Sequence, residues 1–269
     1  MNSASVPDTW ARGSPYEQYI GRWSRKIAPL FLDWLSQPQR KSWLDVGCGT
    51  GALSAAIADR CSPSRLVGVE PSEAFLKSAS ESLGEKAALQ LGDAAAIPLP
   101  NTAVDCVVSG LVLNFVPDVA AALVEMRRVT KPGGLIAAYV WDYEGKMDLI
   151  RHFWDGAVSL DADARRLHEG ARFTICKPQA LTRAFEGAGL DHIEVRALDA
   201  VAEFGSFEEY WLPFLGGQGP APAYAMSLDE ELRSRLKAAV RAQVPEAPDG
   251  RISLCIRAWA IRALTPSDA

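Results

Sequence analysis

The chain has 269 residues, 48% hydrophobic and 23% charged, with a formal net charge of −5. That is ordinary composition for one globular domain with a sizeable insertion, and the acidic balance argues against a surface built for nucleic acid. There is no apolar run of about 18 residues to span a membrane, no apolar leader in "MNSASVPDTWARGSPY", and no CxxC pair among the five cysteines, so the expectation is a cytoplasmic protein without a metal centre.

Read in chain order, "SPYE" (14–17) offers Ser14 as N-cap, Pro15 at the first helical position and Glu17 to close a capping box. A helix follows through "YIGRWSRKIAPLFLDWL", with a kink expected near Pro29. "SWLDVG" reads as a buried strand, and a glycine loop opens the next helix, "ALSAAIADR". "RLVGVE" (65–70) is a second strand; Ser72 caps "EAFLKSASESL", which Gly84 ends. "AALQLGD" (87–93) and "VDCVVSGLVL" (104–113) are the third and fourth strands. The amphipathic helix "PDVAAALVEMRRVT" closes on a "KPGG" turn at 131–134, before a fifth strand, "LIAAYVWD" (135–142). Residues 143–176 look like an irregular helical insertion, 177–190 a helix and 192–198 a strand. Residues 199–250 form a second insertion with one convincing helix, "LDEELRSRLKAAVRAQV"; the alternating "RISLCIRAWAIRA" (251–263) is a long strand. Apolar strands alternating with helices imply a parallel sheet covered on both faces, with ligands beyond the carboxyl ends of its strands.

"WLDVGCGTGALS" (43–54) sits at such an end. A strand, a glycine turn and a helix make a nucleotide-type site, where backbone approaches a ligand and free N–H groups face it. "GCGTGA" also fits a GxGxxA dinucleotide loop, and it lacks the GK[ST] of an ATP loop. Asp45 weighs between ligands. A carboxylate at the loop repels a pyrophosphate and attracts a cationic ammonium, and S-adenosylmethionine has an ammonium, a sulfonium and no phosphate. Glu70 ends the second strand, where a carboxylate accepts both ribose hydroxyls; that fits NAD equally. Asp93 ends the third strand and suits an adenine amino group, with the backbone N–H of Ala94 facing a ring nitrogen. Each acid alone also reads as a turn or capping residue. Cys48 reads as a small packing residue.

The motifs "WLDVGCGTG", "LVGVEPSEAFL", "LQLGDAAAIPLPNTAVDCVVSG" and "VPDVAAALVEMRRVTKPGG" resemble, in order, those of class I S-adenosylmethionine-dependent methyltransferases, most closely the small-molecule branch of the ubiquinone and menaquinone enzymes. The resemblance covers residues 43 to about 142, and more weakly "YEQYIGRWSRKIAP". It implies a Rossmann-like α/β fold: a seven-stranded, mostly parallel sheet with an antiparallel last strand, helices on both faces and helical insertions in the C-terminal half. It also implies one domain over 1–269, with a helical cover at 14–37, a cofactor-binding core at 42–142, insertions at 143–176 and 199–250 as a substrate cap, and the last strand at 251–263. The cofactor is then S-adenosyl-L-methionine and the product S-adenosyl-L-homocysteine. Asp45, Gly47, Cys48 and Gly49 surround the methionine part, Glu70 the ribose, Pro71 the adenine face, and Asp93 and Ala94 the adenine edge. Leu111 lies under the methionine end, and Trp23 covers the cofactor. Many relatives have His or another residue at the position of Asn114, so no histidine base is expected there.

Methyl transfer from a sulfonium needs positioning and a dry site more than a dedicated base, so no catalytic residue is assigned. His152, His168 and His192 are candidates in principle, though structural roles suit each. Aromatic residues near the expected site suggest an apolar or aromatic small-molecule acceptor, with Tyr16, Tyr19, Asn114, Tyr143 and Trp211 as its contacts. The alternatives are a nicotinamide-dependent oxidoreductase, or a non-catalytic S-adenosylmethionine-binding protein.

Overall fold

The computed structural model describes residues 20–217 and 219–267. The expected capping box at 14–17 lies outside them. A π-type turn at 20–21 leads into helix α1 (Arg22–Leu35), which runs on through Pro29. Then follow β1 (Ser42–Val46), α2 (Ala52–Cys61), β2 (Arg65–Glu70), α3 (Glu73–Leu83), β3 (Ala88–Leu91), β4 (Val104–Gly110), α4 (Val119–Val129) and β5 (Thr130–Trp141). The C-terminal half holds α5 (Asp148–Leu160), α6 (Glu169–Arg172), α7 (Pro178–Gly187), β6 (Asp191–Phe204), α8 (Phe207–Trp211), α9 (Pro220–Ser227), α10 (Glu230–Gln243) and β7 (Ile252–Leu264). One seven-stranded sheet has the order β3-β2-β1-β4-β5-β7-β6. Strands β1 to β5 pair in parallel, while β7 runs antiparallel to β5, with Leu135 opposite Leu264 and Trp141 opposite Ala258. The expected antiparallel last strand is therefore present.

Three boundaries differ from the sequence reading. "KPGG" does not end the helix in a free turn. Thr130 already pairs with Val104, and the register shifts before Cys106 meets Leu135. Gly133 takes φ +67 there and its N–H donates to the Thr265 carbonyl, so the segment is a bulge inside β5. Strand β6 runs on to Phe204, six residues past the expected end, because alternate side chains at Leu198, Ala202 and Phe204 stay buried. Helices α8 and α9 stand where the sequence showed one convincing helix, α10. They are short, started by the Ser206 side chain in one case and by Pro220 in the other.

The chain divides into two compact units. One comprises Ser24–Trp141, Ile175–Leu198 and the chain from Ala258, and carries most of the sheet. All five residues of β1 are buried in it, so their apolar run needs cover on both faces. Helices α2 and α3 pack on β2, α3 on β3, and α4 on β5 and α7. At the opposite end of the sheet Trp34 Nε1 donates to Glu194, which also receives Arg262.

The other unit comprises Asp142–Thr174, Asp199–Arg257 and, of the described N-terminal residues, those up to Trp23. Most residues read as insertions fall in it. Its interior is aromatic: Phe153 stacks on Phe214 at 4.6 Å, and the Tyr210 hydroxyl donates to the Leu149 carbonyl at 2.8 Å. Gly156 lets α5 approach α10, since a Cβ there would stand 2.7 Å from Val240.

Candidate functional site

The carboxyl ends of β1, β2 and β4 carry Asp45 and the glycine loop, Glu70, and Leu111 with Asn114, in that order. Asp45 is the fourth residue of β1, 1% exposed, between Gly68 of β2 and Val108 of β4. Its Oδ2 accepts from Ser54 Oγ at 2.7 Å. Its Oδ1 is buried and has no hydrogen-bond partner. Burial raises this carboxyl to about 7; the Ser54 bond opposes the rise and the Glu70 charge adds to it. An oriented carboxylate oxygen without a partner is an unfilled place for a donor, best a cationic one.

The loop glycines divide in function. Gly47, Gly49 and Gly51 have φ of +73, +53 and +90, which L side chains disfavour. A Cβ on Gly47 would stand 2.6 Å from Val112, and one on Gly51 2.9 Å from Leu83. Those two glycines answer to the protein's own packing. A Cβ on Gly49 would meet nothing within 4 Å, so its bare face is left open. Gly47 and Cys48 both donate to the Val69 carbonyl, which ties the loop to β2. Cys48 packs where a Cβ on Gly68 would lie 2.9 Å from its sulfur. Burial pushes its thiol far up, with Asp45 and Glu70 adding to that, so it is inert packing as expected.

Glu70 closes the far side of the loop. Its Oε2 accepts from Gly49 N at 3.0 Å and its Oε1 from Ser72 N at 3.1 Å. It is 7% exposed, and burial raises its pKa against those two bonds. Each oxygen keeps a further lone pair, so the carboxylate can accept two hydroxyl donors without leaving the loop. Pro71 beside it is exposed. The N–H of Gly92 donates to the Glu70 carbonyl, which seats the 93–96 turn by the end of β2. Asp93 itself is exposed, and its Oδ1 accepts from Ala95 N at 2.7 Å. It is thus a turn carboxylate with free lone pairs, and Ala94 stands half-buried beside it.

Past β4, Leu111 holds φ +63, a strained setting for leucine, fixed by its N–H to the Tyr139 carbonyl at 2.7 Å. The next turn carries Asn114, whose Nδ2 is buried and has no partner. Asp45 Oδ1, on β1, and Asn114 Nδ2, in the turn past β4, are thus an unmatched acceptor and an unmatched donor. Sequence reasoning missed three supporting residues: Ser54, which orients Asp45; Val112, which excludes a side chain at Gly47; and Ser109, whose hydroxyl donates to the Val46 carbonyl at 2.9 Å. Serine at helix or strand positions carries no such signal in one sequence.

Of the remaining candidates, Trp23, Tyr143, Trp211, His152 and His168 lie in the aromatic unit and His192 in the sheet-bearing one. Trp23 meets Phe204 edge-on at 5.3 Å. Tyr143 lies 5.8 Å from Phe173, and Trp211 stacks between Phe153 and Phe207 at 6.2 and 6.3 Å. Tyr16 and Tyr19 lie outside the described residues. Burial lowers the pKa of His152 and of His168. His168 Nδ1 accepts from Gly170 N, so its proton sits on Nε2 and neither nitrogen is placed as a free base. His192 is exposed at the start of β6. Among the described residues no group of three or more His, Cys, Asp or Glu side chains is placed to hold a metal ion.

Residues 44–138 match a protein family described as a methyltransferase domain. The chain is 38% identical over 167 residues to a demethylmenaquinone methyltransferase of Staphylococcus aureus, covering 57% of this chain and 69% of that one. It is 35% identical over 125 residues to an uncharacterised methyltransferase of Schizosaccharomyces pombe, covering 40% of this chain and 45% of the other. With that protein and three further curated relatives, the chain spans only 33–52% of their lengths. Among solved structures, the YcgJ protein of Bacillus subtilis shares the fold at a TM-score of 0.57 and 16% identity, covering 90% of this chain and 98% of that one.

Proposed function

Because the chain belongs to the class I S-adenosylmethionine-dependent methyltransferases, we propose that it transfers a methyl group from S-adenosylmethionine to a small-molecule acceptor with an apolar or aromatic body. The observation that carries this is the Asp45 carboxylate: fully buried, aimed by Ser54, and with one oxygen unmatched beside a glycine whose open face is free. These residues fit the cofactor. Asp45 takes its ammonium, and Gly47, Cys48 and Gly49 border its methionine part. Glu70 takes the ribose hydroxyls through the lone pairs that Gly49 and Ser72 leave. Pro71 flanks the adenine; Asp93 and Ala94 take its edge. Leu111 supports the methionine end. An enclosed acid here disfavours a pyrophosphate, which is why a nicotinamide cofactor is the poorer fit.

When bound, S-adenosylmethionine supplies a methyl group already activated on a sulfonium. The chain's own part is to bind, align and keep water out. Leu111, Leu113 and the buried strand ends supply apolar surface. Asn114 Nδ2 donates to an oxygen or nitrogen of the acceptor, and so sets its angle of approach. No side chain is assigned as a general base. The test is incubation with S-adenosylmethionine and a panel of hydroxylated and aminated aromatic compounds, following S-adenosylhomocysteine release. Release that depends on one acceptor class establishes the activity; binding without release for every class leaves a cofactor-binding protein instead.

A further inference from the structure

In the sheet-bearing unit, the turn that carries Asp93 and Ala94 follows β3 and leads into "IPLPN" (97–101). The near end of the turn is tied to the sheet, where Gly92 N–H donates to the Glu70 carbonyl at 3.2 Å. A Cβ on Gly92 would stand 2.8 Å from Pro98, so this glycine lets the chain fold back on itself. Within the turn, Asp93 Oδ1 accepts from Ala95 N and the Asp93 carbonyl from Ala96 N. Past it, Ile97 and Leu99 are buried, and each precedes a proline, which favours extended backbone. An extended segment outside the sheet needs other partners for its backbone groups.

One residue pair on α4 supplies them. Arg128 sets Nε and Nη2 on the two oxygens of Glu125 at 2.6 and 2.7 Å. Its Nη2 also donates to the Ile97 carbonyl at 2.9 Å, and its Nη1 to the Leu99 carbonyl at 2.8 Å and to Asn101 Oδ1 at 2.9 Å. Every N–H of the guanidinium is thereby used. Glu125 Oε2 in turn accepts from Ile97 N at 2.9 Å, directly after the turn. The Arg128 hydrogen bonds hold the Glu125 carboxyl below its usual range, against burial, so the pair stays ionised. The main chain closes the clamp, with Thr102 N–H donating to the Arg128 carbonyl at 2.9 Å. Residues 97–102 are thus wound around one arginine, and a lysine there, with three donors on one point, cannot hold the same four partners.

We propose that Arg128, acting through Glu125 and Ile97, is a positioning residue for adenine recognition: it anchors the far end of the 93–96 turn, so that Asp93 and the Ala94 N–H stand ready at the adenine edge. The role of the turn rests on the methyl-transfer reading; the clamp itself does not. Arg128 touches no ligand in this role. With one end of the turn held by β2 and the other by α4, the four residues between are set before the cofactor arrives, which spares the ordering cost on binding.

The test is calorimetric titration of the full chain with S-adenosylhomocysteine and with S-inosylhomocysteine, whose base has an oxygen in place of the amino group. The parent is expected to prefer the adenine compound about tenfold. Arg128→Lys should erase that preference by weakening S-adenosylhomocysteine about tenfold, with S-inosylhomocysteine held within about twofold, since the ribose and methionine contacts remain. Added to Asp93→Asn, it should bring little further loss, because both act on one contact. Glu125→Gln keeps the shape and removes the charge that holds Arg128; it should shift the preference the same way, and it serves if Arg128→Lys does not fold. In the ligand-free protein, hydrogen exchange at the Ile97 amide should quicken in either variant while the rest of α4 keeps its protection. A merely structural role would weaken both compounds alike. That result, an unchanged preference in both variants, or an Ile97 amide as protected as in the parent overturns the proposal and leaves the cofactor reading standing. A parent that binds neither compound overturns the cofactor reading and the adenine role with it, and the exchange data then show the clamp alone.

Discussion

At the scale of single residues, Asp45 couples binding to pH. In the folded, ligand-free chain its carboxyl keeps a proton up to about pH 7, because burial outweighs the Ser54 hydrogen bond. Unfolded, it would lose that proton near pH 4. Between those values the folded state binds more protons, so this group lowers stability as pH rises, and the loss is complete above about pH 7. Asp45→Asn should remove that loss, leaving the ligand-free protein more stable than the parent by a few kcal/mol at pH 8. Melting temperatures from pH 5 to pH 8 check it; parallel curves for the two proteins would contradict it. The same substitution should weaken S-adenosylhomocysteine binding by about 1.5–3 kcal/mol. Since a cation is held by the ionised form, affinity in the parent should rise with pH up to about 7. Ser54→Ala, which removes a bond to the carboxylate, should move that rise to higher pH. The glycines offer a second residue-scale check. Gly49→Ala should cost only about 1–2 kcal/mol of stability, for the left-handed backbone, yet abolish cofactor binding. Gly47→Ala should cost more, because the new methyl also meets Val112 at 2.6 Å. Equal stability losses in urea unfolding would remove the distinction. The resemblance assigned Gly47 and Gly49 to the methionine part and left Gly51 out; only their neighbours separate the open Gly49 from the packed Gly47 and Gly51. The acid at the loop was legible because charge type alone chooses between an ammonium and a pyrophosphate.

At the scale of elements, the β2–α3 corner does two jobs with one serine. Ser72 Oγ accepts from Phe75 N at 3.4 Å to cap α3, while its own backbone N–H holds Glu70 Oε1. Ser72→Ala should therefore cost about 1 kcal/mol in unfolding free energy. It should leave cofactor affinity nearly intact, because the backbone N–H that positions Glu70 remains. A large loss of affinity in calorimetry would mean that the cap, and not the backbone, sets Glu70. The elements that the sequence made legible share one property. β1, β2, β4 and β5 are apolar runs wedged between glycine and capping signals, and α3, α4 and α10 are periodic helices with a Ser or Asp cap. What stayed illegible is set by tertiary pairing. The 131–134 segment became a bulge because Thr265 supplies it with partners, and β6 continued because its alternate residues found cover. The short helices α8 and α9 span too few residues to show a period.

At the scale of the whole molecule, the chain joins a sheet-bearing unit that holds the glycine loop to a second unit with an aromatic interior. The order of strands, with β4 and β1 at the centre and β7 antiparallel, brings the ends of β1, β2 and β4 together. Of the acids read from three strand ends, Asp45 and Glu70 interact, and Asp93 is an exposed turn carboxylate. The most direct test of an S-adenosylmethionine site at this loop is thermal unfolding with S-adenosylhomocysteine and, separately, NADH. A ligand at a hundred times its dissociation constant adds about 2.7 kcal/mol, or roughly 5–10 °C for a chain of this size. The expected result is that shift with S-adenosylhomocysteine, reduced in Asp45→Asn, and none with NADH. A shift with NADH alone would contradict it, and would mean that the buried carboxylate at β1 tolerates a pyrophosphate after all.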